Sequence, residues 1–349
     1  MNRALAPFAL ALSLAACGSA TTPANTPTDA SITDAQLAAD AVVTDVSSSP
    51  EDAPPERDVA AVDRYEPPVE ASSCDALQPG MVSNFMVDGL ARSFLLTLPN
   101  GADAPGGRWP VVFQWHGAGD NAANFNGLLA GQVNNSAMPF ILVTPVSTRL
   151  LPTTMPIGFE WEQLQARGPN REARLFDAVL NCVRQRYGLD EDRVYTVGFS
   201  AGALMSDLLG VLRGDRLAGI VAFSGGYFAN PDNPPTLGSL RAFVSWPEPY
   251  MTNRYAQLVA VGGARDTYPL VIAQARFDLY AENDVPWLTA AGHDVVACEH
   301  GMGHTIPRAL MGPAIVQFLS AHRRGGGRSP WAAGLPSGFP DYCRFHAGM

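Results

Sequence analysis

The sequence has 349 residues, of which 23 are basic and 33 are acidic, giving a formal net charge of −10. A surplus of acidic groups argues against nucleic acid as a partner, because phosphate binding requires a cationic face. Hydrophobic residues make up 47% of the chain, enough for a sizeable core. No apolar run reaches the ~18 residues of a membrane-spanning helix. The composition therefore argues against a polytopic membrane protein, a coiled coil and a fully disordered chain.

The first residues have the pattern of an export signal. Arg3 precedes an apolar stretch from Ala4 to Ala16, which is too short to span a bilayer but typical of a signal peptide. The stretch runs into Leu14-Ala15-Ala16-Cys17-Gly18, which resembles a bacterial lipobox. The resemblance implies that residues 1–16 are a lipoprotein signal peptide and that acylated Cys17 anchors the protein in a lipid bilayer. We expect the outer membrane or cell surface of a Gram-negative bacterium; the alternative is an ordinary signal peptide that contains a cysteine.

The composition changes after the signal. Residues 18–73 hold 11 acidic and 2 basic side chains, and their only aromatic residue is Tyr65. Such a segment cannot bury enough apolar surface to offset its chain entropy. We predict that residues 17–73 comprise the lipidated cysteine and a disordered acidic tether. Residues 74–349 are then near neutral, which suits an uncharged substrate.

Four further cysteines lie in the predicted folded domain: Cys74, Cys182, Cys298 and Cys343. In an exported protein this even number predicts two disulfides, and the sequence leaves all three pairings open, including one that joins the two ends of the domain through Cys74 and Cys343. No two cysteines have the C-x-x-C spacing of a zinc site. We expect neither a metal nor a cofactor.

The domain begins with a hairpin and continues with alternating strands and helices. Asp88-Gly89 predicts a tight turn between strands Met81–Val87 and Arg92–Leu98. Short apolar runs typical of buried parallel strands follow, at Val111–Trp115, Phe140–Thr144, Arg193–Val197, Ile220–Phe223, Leu258–Val261 and Val295–Cys298. Helical patterns cover Arg171–Tyr187, Ala201–Leu212, Pro269–Ala281 and Arg308–Ala321. This alternation predicts one α/β domain over residues 74–349, with a mainly parallel central sheet and an antiparallel N-terminal hairpin.

One segment interrupts the alternation. Tyr227–Arg254 is rich in proline and aromatic residues. A long insertion beside the ends of strands often shapes a binding site; the alternative is a surface loop packed on its own aromatic side chains. Four tryptophans have the same two interpretations, as pocket aromatics or as core residues: Trp115, Trp161, Trp246 and Trp287.

A nucleophile motif lies between a predicted strand and a predicted helix. Gly198-Phe199-Ser200-Ala201-Gly202 follows the strand Arg193–Val197 and runs into the next helix. This is G-x-S-x-G in a strand–turn–helix setting, where the strained turn exposes the serine hydroxyl and the glycines avoid overlap. The hydroxyl lies near the positive end of the helix dipole. We therefore predict that Ser200 is a catalytic nucleophile; the alternative is a structural turn serine.

Ser200 needs a base, because a free hydroxyl is a poor nucleophile at neutral pH. His304 follows the last predicted strand in a glycine-rich loop, and we predict it as the base, with His300 as its nearest rival. Asp266 follows the penultimate strand and would orient the imidazole without taking its proton. Three other carboxylates are less favoured because they lie on or after a helix: Asp278, Glu282 and Asp284.

A glycine-rich loop follows the strand Val111–Trp115. His116-Gly117-Ala118-Gly119-Asp120 has the H-G-x-G pattern that supplies a backbone N–H to the oxyanion formed during acyl transfer. We predict Ala118 as the loop donor, with Gly119 as the alternative, and the N–H of Ala201 as the second donor. His116 is placed to support this loop. The remaining histidines have no motif around them and are expected at the surface or in packing: His293, His322 and His346.

These motifs together resemble the α/β-hydrolase superfamily, and in particular the polyhydroxybutyrate depolymerase and feruloyl esterase group of secreted bacterial esterases. The resemblance rests on residues 187–195, which lead into the serine motif at 198–202, and on Gly303-His304-Thr305-Ile306-Pro307. It implies an α/β-hydrolase fold with helices on both faces of the sheet. It also implies a metal-independent serine hydrolase that acts through an acyl-enzyme, with Ser200 as nucleophile, His304 as base and Asp266 as orienting carboxylate.

The sequence thus predicts a secreted, lipid-anchored serine esterase for carboxylic esters of polyhydroxyalkanoate, feruloyl or acetyl type, including polymeric ones. One alternative is a serine peptidase or acyltransferase on the same fold. Another is a non-catalytic surface-binding lipoprotein that has kept a hydrolase scaffold. Retention of Ser200, Asp266 and His304 in the required chain order argues against the last of these.

Overall fold

The computed structural model describes residues 74–101, 105–148, 160–163, 169–233, 246–247, 254–269 and 274–349. The predicted signal peptide, Cys17 and the predicted tether lie outside the described residues, as does most of the segment Tyr227–Arg254. Among the helices that are described, none is long and apolar enough to cross a membrane.

A nine-stranded sheet forms the centre of the described domain. Its strands are β1 (Gly80–Val87), β2 (Leu90–Thr97), β3 (Trp109–Trp115), β4 (Ile141–Pro145), β5 (Leu189–Phe199), β6 (Gly219–Phe223), β7 (Ala256–Val261), β10 (Val295–Glu299) and β11 (Cys343–His346). Two short strands, β8 (Thr267–Pro269) and β9 (Gln274–Arg276), form a separate pair. The order in the large sheet is β1-β2-β4-β3-β5-β6-β7-β10-β11. The six strands from β4 to β10 in this order are parallel, whereas β1, β2 and β11 pair antiparallel with their neighbours. The predicted fold class is confirmed.

Helices cover both faces of the sheet. The described helices are α1 (Ala122–Asn126), α2 (Arg171–Arg186), α3 (Ala201–Arg213), α4 (Phe277–Ala290) and α5 (Pro313–Ala321). Alternate residues of each parallel strand point to opposite faces. Val111 and Phe113 therefore join the core under α2, α3 and α4, while Val112 joins the core under α5. Burial on both faces explains why these strands are nearly continuous apolar runs.

Two helix predictions were wrong in their boundaries. The pattern Pro269–Ala281 predicted a helix, but β8 pairs with β9 across its first part, and α4 begins only at Phe277. The pattern Arg308–Ala321 is divided at Gly312, whose φ of 51° separates the 3-10 turn Arg308–Leu310 from α5. Strand β11 was not predicted at all.

The disulfides are Cys74–Cys182 and Cys298–Cys343. The first ties the start of the domain to α2, and the second ties β11 to β10, which precedes the predicted base. Neither joins the two ends of the domain, so the Cys74–Cys343 pairing that the sequence left open is not the one formed.

Two buried aspartates hold the segment that follows β6. Asp207 on α3 accepts the N–H of Gly226, and Asp284 on α4 accepts the N–H of Tyr227, both at 2.8 Å. Burial raises the pKa of Asp207 to about 8 and that of Asp284 to about 7. Asp284, weighed from the sequence as a catalytic acid, instead fixes the backbone of this segment.

Candidate active site

Ser200 lies in a sharp turn between β5 and α3. Its φ of 55° and ψ of −119° are rarely adopted by residues other than glycine, and its N–H donates to the carbonyl of Phe223 on β6 at 2.9 Å. A Cβ on Gly202 would overlap the carbonyl of Trp115, and one on Gly198 would overlap the carbonyl of Gly202. The two motif glycines are therefore sterically required for this turn.

His304 links Ser200 to Asp266. Its Nε2 lies 2.9 Å from Oγ of Ser200, and its Nδ1 lies 2.7 Å from Oδ1 of Asp266. An ionised carboxylate can only accept, so Nδ1 carries the proton, and Nε2 of the neutral imidazole accepts from the serine hydroxyl. This is the geometry in which an imidazole can remove the hydroxyl proton.

Asp266 is fully buried, and both of its oxygens have partners. Its Oδ2 accepts the N–H of Gly262 at 2.7 Å and the hydroxyl of Ser224 at 2.8 Å. Sequence reasoning missed Ser224, which directly follows β6 with a φ of 57°. Its position in the sequence could have indicated it. A polar residue immediately after a buried parallel strand lies at the same edge of the sheet as the other site residues.

The loop that contains His304 is bonded to the loop that contains Asp266. The N–H of His300 donates to the carbonyl of Val261, and that of Gly303 donates to the carbonyl of Gly262. The guanidinium of Arg265 donates to the carbonyl of Gly301 at 2.9 Å. Arg265 lies directly before Asp266, so its bond adds a third connection between the two loops.

Aromatic side chains surround the imidazole of His304. Phe277 stacks on it with ring centroids 5.0 Å apart and planes 13° apart, and Phe199 lies 4.8 Å away. Tyr268 adds a third ring at 5.9 Å. Packing on these rings restricts the rotation of the imidazole, which supports its alignment with Ser200.

The other histidines lie elsewhere. His300 accepts the N–H of Met302 through Nδ1, and burial lowers its pKa. His116 is buried and packs on Trp161 at the start of the loop that it was predicted to support. Two further histidines are buried and bonded to backbone carbonyls: His293 and His322. His304 is therefore the histidine that the described structure places against Ser200.

The loop His116–Asp120 lies beside Ser200 because β3 and β5 are neighbours, with Trp115 paired to Gly198. A Cβ on Gly117 would lie 3.4 Å from Cβ of Ser200. The N–H of Gly119 donates to Glu160 at 2.9 Å, so it is already engaged. Within the described part of the chain, the N–H groups of the two preferred oxyanion donors, Ala118 and Ala201, have no such acceptor.

Trp115 and Trp161 are fully buried and belong to the core. The indole N–H of Trp115 donates to the hydroxyl of Thr196, while Trp246 and Trp287 both pack on Tyr227. Within the described ranges, no group of three histidine, cysteine or acidic residues is arranged to hold a metal ion.

Comparison with known proteins adds a sequence match over the centre of the domain. The sequence profile of the Phospholipase/Carboxylesterase family matches residues 108–239, which include the His116–Asp120 loop and Ser200. No curated protein sequence matches the chain.

Solved structures share the fold. Native sOPH and native pOPH have TM-scores of 0.62 and 0.60, each at 17% identity, and the alignments cover 78% of this chain and 95% of theirs. A complex of a pOPH variant with DMSO has a TM-score of 0.62 at 18% identity, covering 80% of this chain and 96% of that one. The protein has an α/β-hydrolase fold. The family match supports an ester hydrolase on this fold.

The hydroxyl of Ser224 is expected to matter for activity but not to be essential. Replacing Ser224 with alanine removes one hydrogen bond to the buried carboxylate of Asp266, which should lower kcat by about 5- to 30-fold, equivalent to roughly 1–2 kcal/mol. Ser224→Gly, which relieves the positive φ, should lose the same amount. Steady-state kinetics on an aryl ester measure both effects; full activity in either variant would contradict the role given to this hydroxyl.

Proposed function

We propose that this protein is an exported, lipid-anchored serine esterase that hydrolyses carboxylic esters through an acyl-enzyme. The proposal rests on one observation above all: Ser200, His304 and Asp266 form a continuous hydrogen-bonded chain at 2.9 and 2.7 Å. The match to the Phospholipase/Carboxylesterase family supports esters as the substrate class.

In the proposed acylation step, His304 takes the hydroxyl proton while Oγ of Ser200 attacks the ester carbonyl. The negative charge that develops on the carbonyl oxygen is stabilised by the N–H groups of Ala118 and Ala201, each typically worth about 3 kcal/mol in the transition state. The imidazolium, held by the carboxylate of Asp266, then gives its proton to the departing alcohol. The acyl group remains on Ser200.

Deacylation repeats the sequence with water. His304 removes a proton from the water molecule that attacks the acyl carbonyl, and the same N–H groups stabilise the second oxyanion. When the intermediate collapses, the proton returns to Oγ of Ser200 and the carboxylic acid leaves. The resemblance to polyhydroxybutyrate depolymerases and feruloyl esterases favours polyhydroxyalkanoate, feruloyl or acetyl-type esters.

The central test is a panel of aryl esters hydrolysed by the wild-type protein and by Ser200→Ala. We expect the wild type to cleave at least one member of the panel, and the variant to lose at least about 10³-fold in kcat because it has no nucleophile. Equal hydrolysis by the variant would contradict the proposed nucleophile, and a wild type that cleaves none of the esters would contradict the esterase proposal.

The proposed anchor rests on the sequence around Cys17. Cys17→Ser removes the thiol that would be acylated, so the protein should move from the membrane fraction to the soluble fraction, since stable anchoring requires buried acyl chains. Fractionation of cells that express either form measures the change. Membrane retention of the serine variant, or a wild type found only in the soluble fraction, would contradict lipid anchoring.

A further inference from the structure

The residues Glu160–Gln163 lie against the His116–Asp120 loop, although they come about forty positions later in the chain. The carboxylate of Glu160 is buried, with 6% of the residue exposed. Its Oε1 accepts the N–H of Gly119 at 2.9 Å, and its Oε2 accepts the hydroxyl of Ser147 at 2.8 Å. Ser147 follows β4, the neighbour of β3. Glu160 therefore connects the loop after β3 to the chain after β4.

A second contact holds the other end of the loop. The indole N–H of Trp161 donates to the carbonyl of His116 at 2.9 Å, and its ring packs on the imidazole of His116 with centroids 4.7 Å apart. The two neighbouring residues thus fix the loop at His116 and at Gly119. Ala118 lies between these two points.

The loop needs such external contacts because its own sequence restrains it little. Gly119 has a φ of 80°, and both Ala118 and Gly119 are exposed. Within the loop itself, the N–H of Asp120 and Nδ1 of His116 both bond to the carbonyl of Gly117, which leaves the peptide between Ala118 and Gly119 without an internal hydrogen bond in the described structure. An oxyanion donor is effective only when its direction is fixed before the charge develops.

We propose that Glu160 is a positioning residue for the oxyanion donor. By binding the N–H of Gly119, its carboxylate fixes the peptide that follows Ala118 and leaves the N–H of Ala118 to the substrate. This inference rests on the proposed esterase function. It adds a residue that touches neither the substrate nor the reacting atoms and acts only through the loop.

Glu162 provides a matched control. It is also a buried glutamate, two residues away, but its carboxylate accepts the N–H of Arg171 at the start of α2. Glu160→Met and Glu162→Met each remove a buried carboxylate from the same short segment, and only the first removes a contact to the loop. A purely structural role of the segment would make the two variants behave alike.

The test measures kcat and KM for an aryl ester, together with inhibition by phenylboronic acid, whose tetrahedral adduct places an oxygen in the oxyanion site. Glu160→Met should lower kcat by about 10- to 100-fold, which is part of the loss in kcat expected when one oxyanion donor is removed. Its KM should change less than about threefold. Its affinity for the boronic acid should fall in parallel. Glu162→Met should lower the melting temperature while kcat stays within about threefold of the wild type.

Two more variants test the role of Glu160 if Glu160→Met does not fold. Glu160→Gln keeps a carbonyl acceptor for Gly119 and an amide that can donate to Ser147, so it should recover most of kcat. Ser147→Ala, a small change at a partly exposed position, removes the hydroxyl that donates to the carboxylate of Glu160 and should lower kcat several-fold at unchanged KM.

The role proposed for Glu160 is overturned if folded Glu160→Met keeps wild-type kcat, or if Glu160→Gln loses as much activity as Glu160→Met. If Glu160→Met does not fold, an unchanged kcat in Ser147→Ala overturns it. A wild type that hydrolyses no ester contradicts the proposed function instead, so the two failures are distinguishable.

Discussion

At Ser200 the backbone adopts φ 55° and ψ −119°, and the rest of the site depends on this strained turn. The strain is tolerated because the surroundings over-determine it: the N–H of Ser200 is bonded to β6, and Gly198 and Gly202 leave room for close backbone contacts. The turn places the hydroxyl at the carboxyl edge of the parallel sheet. The loops that follow β3, β6, β7 and β10 reach the same edge, so one sheet brings the loop His116–Asp120, Ser224, Asp266 and His304 to a single serine.

Each chemical group at this edge is held from two directions. Asp266 is fixed by Gly262 on its own loop and by Ser224 from the neighbouring strand, while His304 is fixed by Asp266 and by stacking on Phe277. In the same way, Glu160 and Trp161 would hold the loop His116–Asp120 at two points. Rigid positioning of this kind is what allows electrostatic stabilisation of a transition state without reorganisation during the reaction.

The sequence predicted much of this arrangement because buried parallel strands leave continuous apolar runs, and because the chain order of nucleophile, acid and base is tied to strand ends. It failed where structure depends on distant pairing. Strand β11 has no apolar run and is held by β10 and by the disulfide Cys298–Cys343. The start of α4 was misplaced because the antiparallel pairing of β8 with β9 is not revealed by local periodicity. Glu160 was missed because its partner Gly119 lies far away in the chain.

Covalent labelling with a fluorophosphonate tests the central claim most directly, because such a probe reacts with a serine only when a neighbouring base activates it. Mass spectrometry of the digested protein should locate a single adduct on the peptide that contains Ser200. The labelling rate should fall by at least about 10³-fold in His304→Gln, which keeps the side chain polar but removes the base. An unlabelled Ser200 in the wild type, or equal labelling of the variant, would contradict the account.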